Sequence, residues 1–148
     1  MHTPNPARAE RALLASQGAF YLATGIWPLL DRSSFERITG PKVDFWLVRT
    51  VGAVLAVTGA AMLVGATRRH TSPESRVMAV GAAGALAAVD IVYAGRGRIS
   101  RVYLADAAVE VGLLAGWLAA SLRRLRRPRP RVEIVSGELV GDEALETS

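Results

Sequence analysis

Hydrophobic positions in this chain are gathered into four blocks and are not spaced out as a stripe. Residues 12–30, 43–66, 77–94 and 102–122 are each close to the ~20 residues that a helix needs to cross a hydrocarbon layer. A soluble helical bundle would back each apolar stripe with a charged face at helical period. Residues 47–65 instead carry one charge, Arg49, and residues 77–90 carry none before Asp90. Neither segment has a face suited to water, so the pattern predicts an all-α protein: a four-transmembrane-helix bundle over residues 12–122.

The segments between the blocks have patterns of their own. In residues 31–42, Ser33 and Glu36 have the spacing of a capping box, and Phe35 with Ile38 supplies a short apolar face. A short interfacial helix is expected there, ended by Gly40, with Pro41 opening the second membrane helix. Trp27, Phe35, Phe45, Trp46, Tyr93 and Tyr103 all fall at the outer boundary under this topology and predict an aromatic belt, with Trp117 the corresponding residue near the inner one. Residues 1–30 do not read as a signal peptide, because the apolar run is long, contains Gln17, Tyr21 and Trp27, and lacks a small-x-small cleavage site.

Charge sets the orientation. The side shared by both termini and the central loop holds eleven basic residues, against seven on the other. The excess of Lys and Arg predicts N-in/C-in, and it rests on the six arginines from Arg123 to Arg131. That run follows directly on the last apolar block, so anionic lipid headgroups explain it better than nucleic acid does. Beyond it, residues 132–148 turn acidic without an apolar face and predict a disordered cytoplasmic tail, as residues 1–11 predict a cytoplasmic N-terminus. The absence of cysteine excludes disulfides, thiolate metal sites and thiol catalysis. His2 and His70 have no acid or histidine at metal-ligand spacing, Ser34 and Ser100 no histidine on their side of the membrane, and no metal or other cofactor is expected. The run Gly95-Arg96-Gly97-Arg98 reads as a tight solvated turn.

Ionisable side chains inside a span are costly and need an explanation. Arg49, Asp90 and Asp106 are expected at one depth in the outer half, with Glu110 one turn deeper on the face of Asp106. Small residues mark the inward faces: Gly52, Ala56 and Gly59 beside Arg49, and Ala83, Ala87 and Ala94 beside Asp90. In the fourth span Tyr103, Asp106, Glu110 and Trp117 share a face, and the first span offers Gln17, Tyr21 and Thr24. One polar stripe per helix predicts a hydrogen-bonded or hydrated cavity. A plain interhelical ion pair of Arg49 with Asp90 or Asp106 is the simpler alternative, but it leaves Glu110 unexplained.

The run Thr24-Gly25-Ile26-Trp27-Pro28-Leu29, with Ser34-Phe35, Thr39-Gly40-Pro41-Lys42, Asp44, Trp46-Leu47-Val48 and Thr50-Val51-Gly52, resembles a group of small uncharacterised bacterial four-helix integral membrane proteins. In size and helix count the chain is similar to DoxX-like proteins. The resemblance implies a multi-pass protein of the bacterial plasma (inner) membrane and supplies no substrate or catalytic residue.

Three functions compete. In the preferred one the cavity opens toward the outer face and binds or senses a small amphipathic or lipid-like ligand. Arg49 orients its head, Tyr21, Thr24, Gln17 and Tyr103 complete the binding set, and the three acids set its protonation. In the second, Glu110, Asp106 and Asp90 are the catalytic carboxyls of an intramembrane isomerase, cyclase or epoxide hydrolase. In the third, the chain is a structural or accessory subunit with a helix-fixing ion pair. A homo-oligomer is a further expectation, since a transporter would need at least a dimer, with the Gly59 and Gly84 faces as candidate contacts.

Overall fold

The computed structural model describes residues 6–126, which form five helices and, among the described residues, no strand. These are α1 (Pro6–Leu30), α2 (Arg32–Thr39), α3 (Phe45–Ala66), α4 (Pro73–Gly95) and α5 (Tyr103–Leu125). All but α2 are long and apolar enough to cross a membrane, which suggests a multi-pass membrane protein. Their surface agrees: Val54, Val57, Val64 and Leu118 are each more than half exposed on the outside of the bundle, where only lipid makes apolar exposure favourable. The expected acidic tail and the arginines beyond Arg126 lie outside the described residues.

Two helices begin earlier than their apolar blocks. The added turns of α1 carry Glu10 to Arg76 at the start of α4, where the guanidinium donates at 2.7 Å to a carboxylate that is 6% exposed. Pro73 takes the first-turn position of α4, where its missing N–H costs nothing, and Ser72 caps that helix by accepting from the Ser75 N–H at 3.2 Å. Pro73 thus opens α4, as Pro6 opens α1, whereas Pro41 does not open α3. Pro41 lies in the connection before α3, which Lys42 ties back to α2 through its N–H on Glu36 and its ammonium on the Thr39 carbonyl.

Cross-helix pairs fix the connectivity. Gly18 faces Gly59 and Gly25 faces Gly52, so α1 and α3 run antiparallel. Tyr21 bonds to Glu110 and Gln17 to Trp117, so α5 also opposes α1. The Glu10–Arg76 pair sets the starts of α1 and α4 at one end. The result is an up-down bundle in which α1 is the hub, packed most extensively on α3 and also on α5, while α4 packs on α5. Its core is Leu14, Tyr21, Met62, Ala79 and Trp117, one or two from each long helix.

The α1–α3 contact is backbone on backbone. A Cβ at Gly59 would stand 2.5 Å from the Leu22 nitrogen and 2.6 Å from the Gly18 oxygen, and one at Gly25 would stand 2.5 Å from the Ala56 nitrogen. Glycines seven residues apart on both helices bring the backbones close along an antiparallel seam, as small residues do between membrane helices. Gly59 is thus consumed inside the chain and is not free to form a dimer, whereas Gly84 has nothing within 4 Å of its would-be Cβ.

Helix α2 forms where expected, by a different cap. Asp31, and not Ser33, accepts the Ser34 N–H at 3.0 Å, because Glu36 is turned to Arg32 and to the Lys42 N–H. Gly40 ends the helix at φ 85°, a conformation that favours glycine. The Arg32 bond, then the Lys42 N–H, hold the Glu36 carboxyl below its ordinary range. The Ser34 N–H does the same for Asp31. A carboxyl depressed in the folded state stabilises above its unfolded pKa and loses that contribution as pH falls through its folded value. We therefore expect the amide resonances of residues 32–39 to move toward random-coil positions below about pH 4, while those of α3 stay in place. Resonances of α2 unmoved at pH 2 would show that these carboxylates do not hold it.

Candidate functional site

At the end of the bundle that carries α2, the long helices part around a cavity of about 510 Å³. Its walls are mostly apolar: Phe20 from α1, Val48, Val51 and Leu55 from α3, and Leu86 and Val89 from α4. Helix α2 roofs it with Phe35, Ile38 and Thr39. Of its flanking helices, α3 and α4 meet at few positions, and Val51 and Val89 in the lining are exposed.

The roof accounts for most of the expected aromatic belt. The Trp27 indole N–H donates to the Ser34 hydroxyl at 2.7 Å, and its ring meets Phe35 edge-on at 5.5 Å. Phe35 in turn stands on Phe45 at 6.4 Å, with the Arg32 guanidinium 4.4 Å from the Phe45 ring. Tyr103 lines the cavity beneath Lys42, whose ammonium is 5.1 Å from the ring centre. Only Trp46 and Tyr93 of the six are exposed.

Three carboxyls line the cavity. Asp90 on α4 meets Asp106 on α5 within hydrogen-bonding reach, and Glu110 lies one turn further along α5. Small residues on α4 permit this, since Ala83, Ala87 and Ala94 are buried on the face of Asp90. Asp90 is 5% exposed with its Oδ2 unpartnered, and Glu110 is fully buried with its Oε1 unpartnered.

Behind Glu110 runs a buried chain of hydrogen bonds. Tyr21 donates its hydroxyl to Glu110 Oε2 at 2.9 Å and accepts from the Gln17 amide at 3.1 Å. The same amide nitrogen donates to the Ala79 carbonyl at 2.8 Å, and Gln17 Oε1 accepts from the Trp117 indole at 2.9 Å. Only this orientation of the Gln17 amide serves both its donors and its acceptor, which assigns it. The chain ends at an indole and a carbonyl, so it holds Glu110 in place and leads no further.

The expected site residues divide into three groups. Asp90, Asp106, Glu110, Thr24 and Tyr103 line the cavity; Gln17 and Tyr21 stand behind its wall and hold Glu110. Arg49 departs from expectation. It is exposed, does not line the cavity and forms no ion pair with Asp90 or Asp106. At ~100° per residue it lies roughly a quarter turn from the line through Gly52, Gly59 and Met62. Near the start of α3, its long stem suits it to reach a polar interface. Trp117, expected on the face of Asp106 and Glu110, is 2% exposed, and its N–H serves Gln17 in the core. The Gly95–Arg98 segment is the expected tight turn, with Gly97 at φ 67°. Among the described residues no group of acids or histidines is placed to hold a metal.

Comparison with known proteins adds nothing to this geometry. No family model matches the chain, and no curated protein and no solved structure matches it either.

The sequence reading missed the roof over the cavity and the Glu10–Arg76 pair. The first had a signal, an amphipathic segment whose Phe35 and Ile38 need an apolar partner. The second had none before α1 and α4 were brought together.

Proposed function

We propose that this chain is a multi-pass protein of the bacterial plasma (inner) membrane whose cavity binds or senses a small amphipathic or lipid-like molecule. The observation that carries the reading is the cavity of about 510 Å³, with mostly apolar walls and three acids in its lining. Pockets for such ligands combine mostly apolar walls with a few placed polar groups. The orientation is N-in/C-in, supported by Arg8, Arg68, Arg69, Arg76 and the arginines at the end of α5, which share one end of the bundle. Cavity and α2 then lie on the outer side, with α2 at the interface. Arg123, Arg124 and Arg126, all exposed, face anionic lipid headgroups.

Native mass spectrometry from lipid nanodiscs tests this and reports the copy number of any homo-oligomer. We expect one retained amphipathic molecule per chain, lost in Val51→Trp, which sets an indole in the cavity wall. Equal retention by that variant would remove the cavity as the binding place.

One observation favours a second reading. Asp90 and Asp106 meet as a carboxyl pair beside Glu110, an arrangement that supports general acid–base work by an intramembrane isomerase, cyclase or epoxide hydrolase. The accessory-subunit reading rested on an ion pair of Arg49 with an aspartate, which does not form; the interhelical ion pair among the described residues is Glu10–Arg76.

A further inference from the structure

We propose that the cavity selects a lipophilic amine, an ammonium head seated against Asp90 and Glu110 and an apolar body lying toward α3. This deepens the binding reading above and rests on it. The argument turns on which hydrogen-bonding groups facing the cavity are already in use. Three of its side-chain donors are engaged: Thr24 donates to the Phe20 carbonyl, Thr39 to the Phe35 carbonyl, and Trp27 to Ser34. What remains over are acceptors. Asp90 Oδ2 and Glu110 Oε1 are buried and unpartnered, in side chains at least nine-tenths buried, and both residues line the cavity.

A head that only accepts hydrogen bonds leaves both of these oxygens unpartnered, and an anionic head meets three acids. An ammonium offers three donors, no acceptor and a charge of the opposite sign. No Arg, Lys or His lines the cavity to compete for the acids. The cation of the roof, Lys42, stands over the Tyr103 ring and is bonded to the Thr39 carbonyl. Arg49, which would have favoured an anionic head, is turned out of the site. The exposed Val51 and Val89 in the lining suit a molecule that partitions into lipid first and enters along its apolar part.

Three compounds with one skeleton separate the possibilities: 4-phenylbutylamine, 4-phenylbutanol and 4-phenylbutyric acid. Each is titrated calorimetrically into the full-length chain in nanodiscs, with empty nanodiscs subtracted. The amine is expected to bind at least about tenfold tighter than the alcohol, with the acid weakest. In Asp90→Asn with Glu110→Gln, the advantage of the amine over the alcohol should shrink to under about threefold. Both changes keep the shape, and the amide oxygen that Glu110→Gln introduces still accepts from Tyr21, so circular dichroism should match the parent chain. If the alcohol or the acid binds as tightly as the amine, and Val51→Trp abolishes that binding, the cavity reading stands and the amine is overturned. If none of the three shows binding that Val51→Trp removes, both readings fall.

Discussion

Replacing Gly59 by leucine should unfold the bundle at the α1–α3 seam, with a loss of about 3 kcal/mol or more. The magnitude follows from what the new side chain would strike. Overpacking between side chains is relieved by rotamer changes, but here the added Cβ meets the Leu22 nitrogen at 2.5 Å and the Gly18 oxygen at 2.6 Å. Backbone atoms of a helix cannot rotate away, so α1 must move off α3 as a whole. That motion withdraws Leu14 and Tyr21 from Met62 and opens the core. Reversible unfolding in mixed micelles, followed by circular dichroism, measures the loss. Gly112→Leu is the matched control, since nothing lies within 4 Å of its would-be Cβ, and it should cost under about 0.5 kcal/mol. Equal losses at the two positions would mean that close approach of α1 to α3 is not what holds these helices.

The same seam shows what a sequence displays and what it conceals. Lipid imposes length and all-round apolarity on a span, so the four long helices are visible as blocks before any packing is known. The acids are visible for the complementary reason: a carboxyl in such a block must find the interior, and the alanines beside Asp90 mark which face that is. Helix pairing is less exposed. Gly18 and Gly25 have the same spacing as Gly59 and Gly52 read in the opposite direction, a match that becomes meaningful only once α1 and α3 are known to be antiparallel.

Arg49 marks the limit more sharply. A series such as 49, 52, 56, 59 drifts around the helix by tens of degrees at each step, so membership in a stripe does not say whether a residue is at its centre or on its shoulder. On the shoulder, a guanidinium near the end of a span can extend along its stem to a polar interface and never meets the acids inside. Trp117 illustrates the converse. Tryptophan favours the ends of spans because one edge wants water, but a buried acceptor serves as well, and Gln17 supplies it at 2.9 Å.

Tyr21→Phe, which removes a single oxygen, should cost about 1–3 kcal/mol. Hydrogen bonds between membrane helices average only about 0.6 kcal/mol, because a loosened helix finds other partners. The larger figure applies here because the hydroxyl is both donor and acceptor in a site with no exposure. Without it, Glu110 has neither oxygen partnered and one Gln17 N–H is left over. Gln17→Leu should cost a similar amount by stranding the Trp117 indole N–H and the second lone pair of Tyr21. Since each variant strands a group that the other removes, the Gln17 N–H or the Tyr21 lone pair, the double variant should fall short of the sum by about 0.5 kcal/mol or more. Thr50→Val sets the baseline: its hydroxyl only returns to the Trp46 carbonyl one turn back on an exposed face, and its loss should be near zero. All four chains are compared by the same unfolding measurement. Strict additivity of the two core variants, or a Tyr21→Phe value no larger than that of Thr50→Val, would show that these side chains do not act as one buried network behind the cavity.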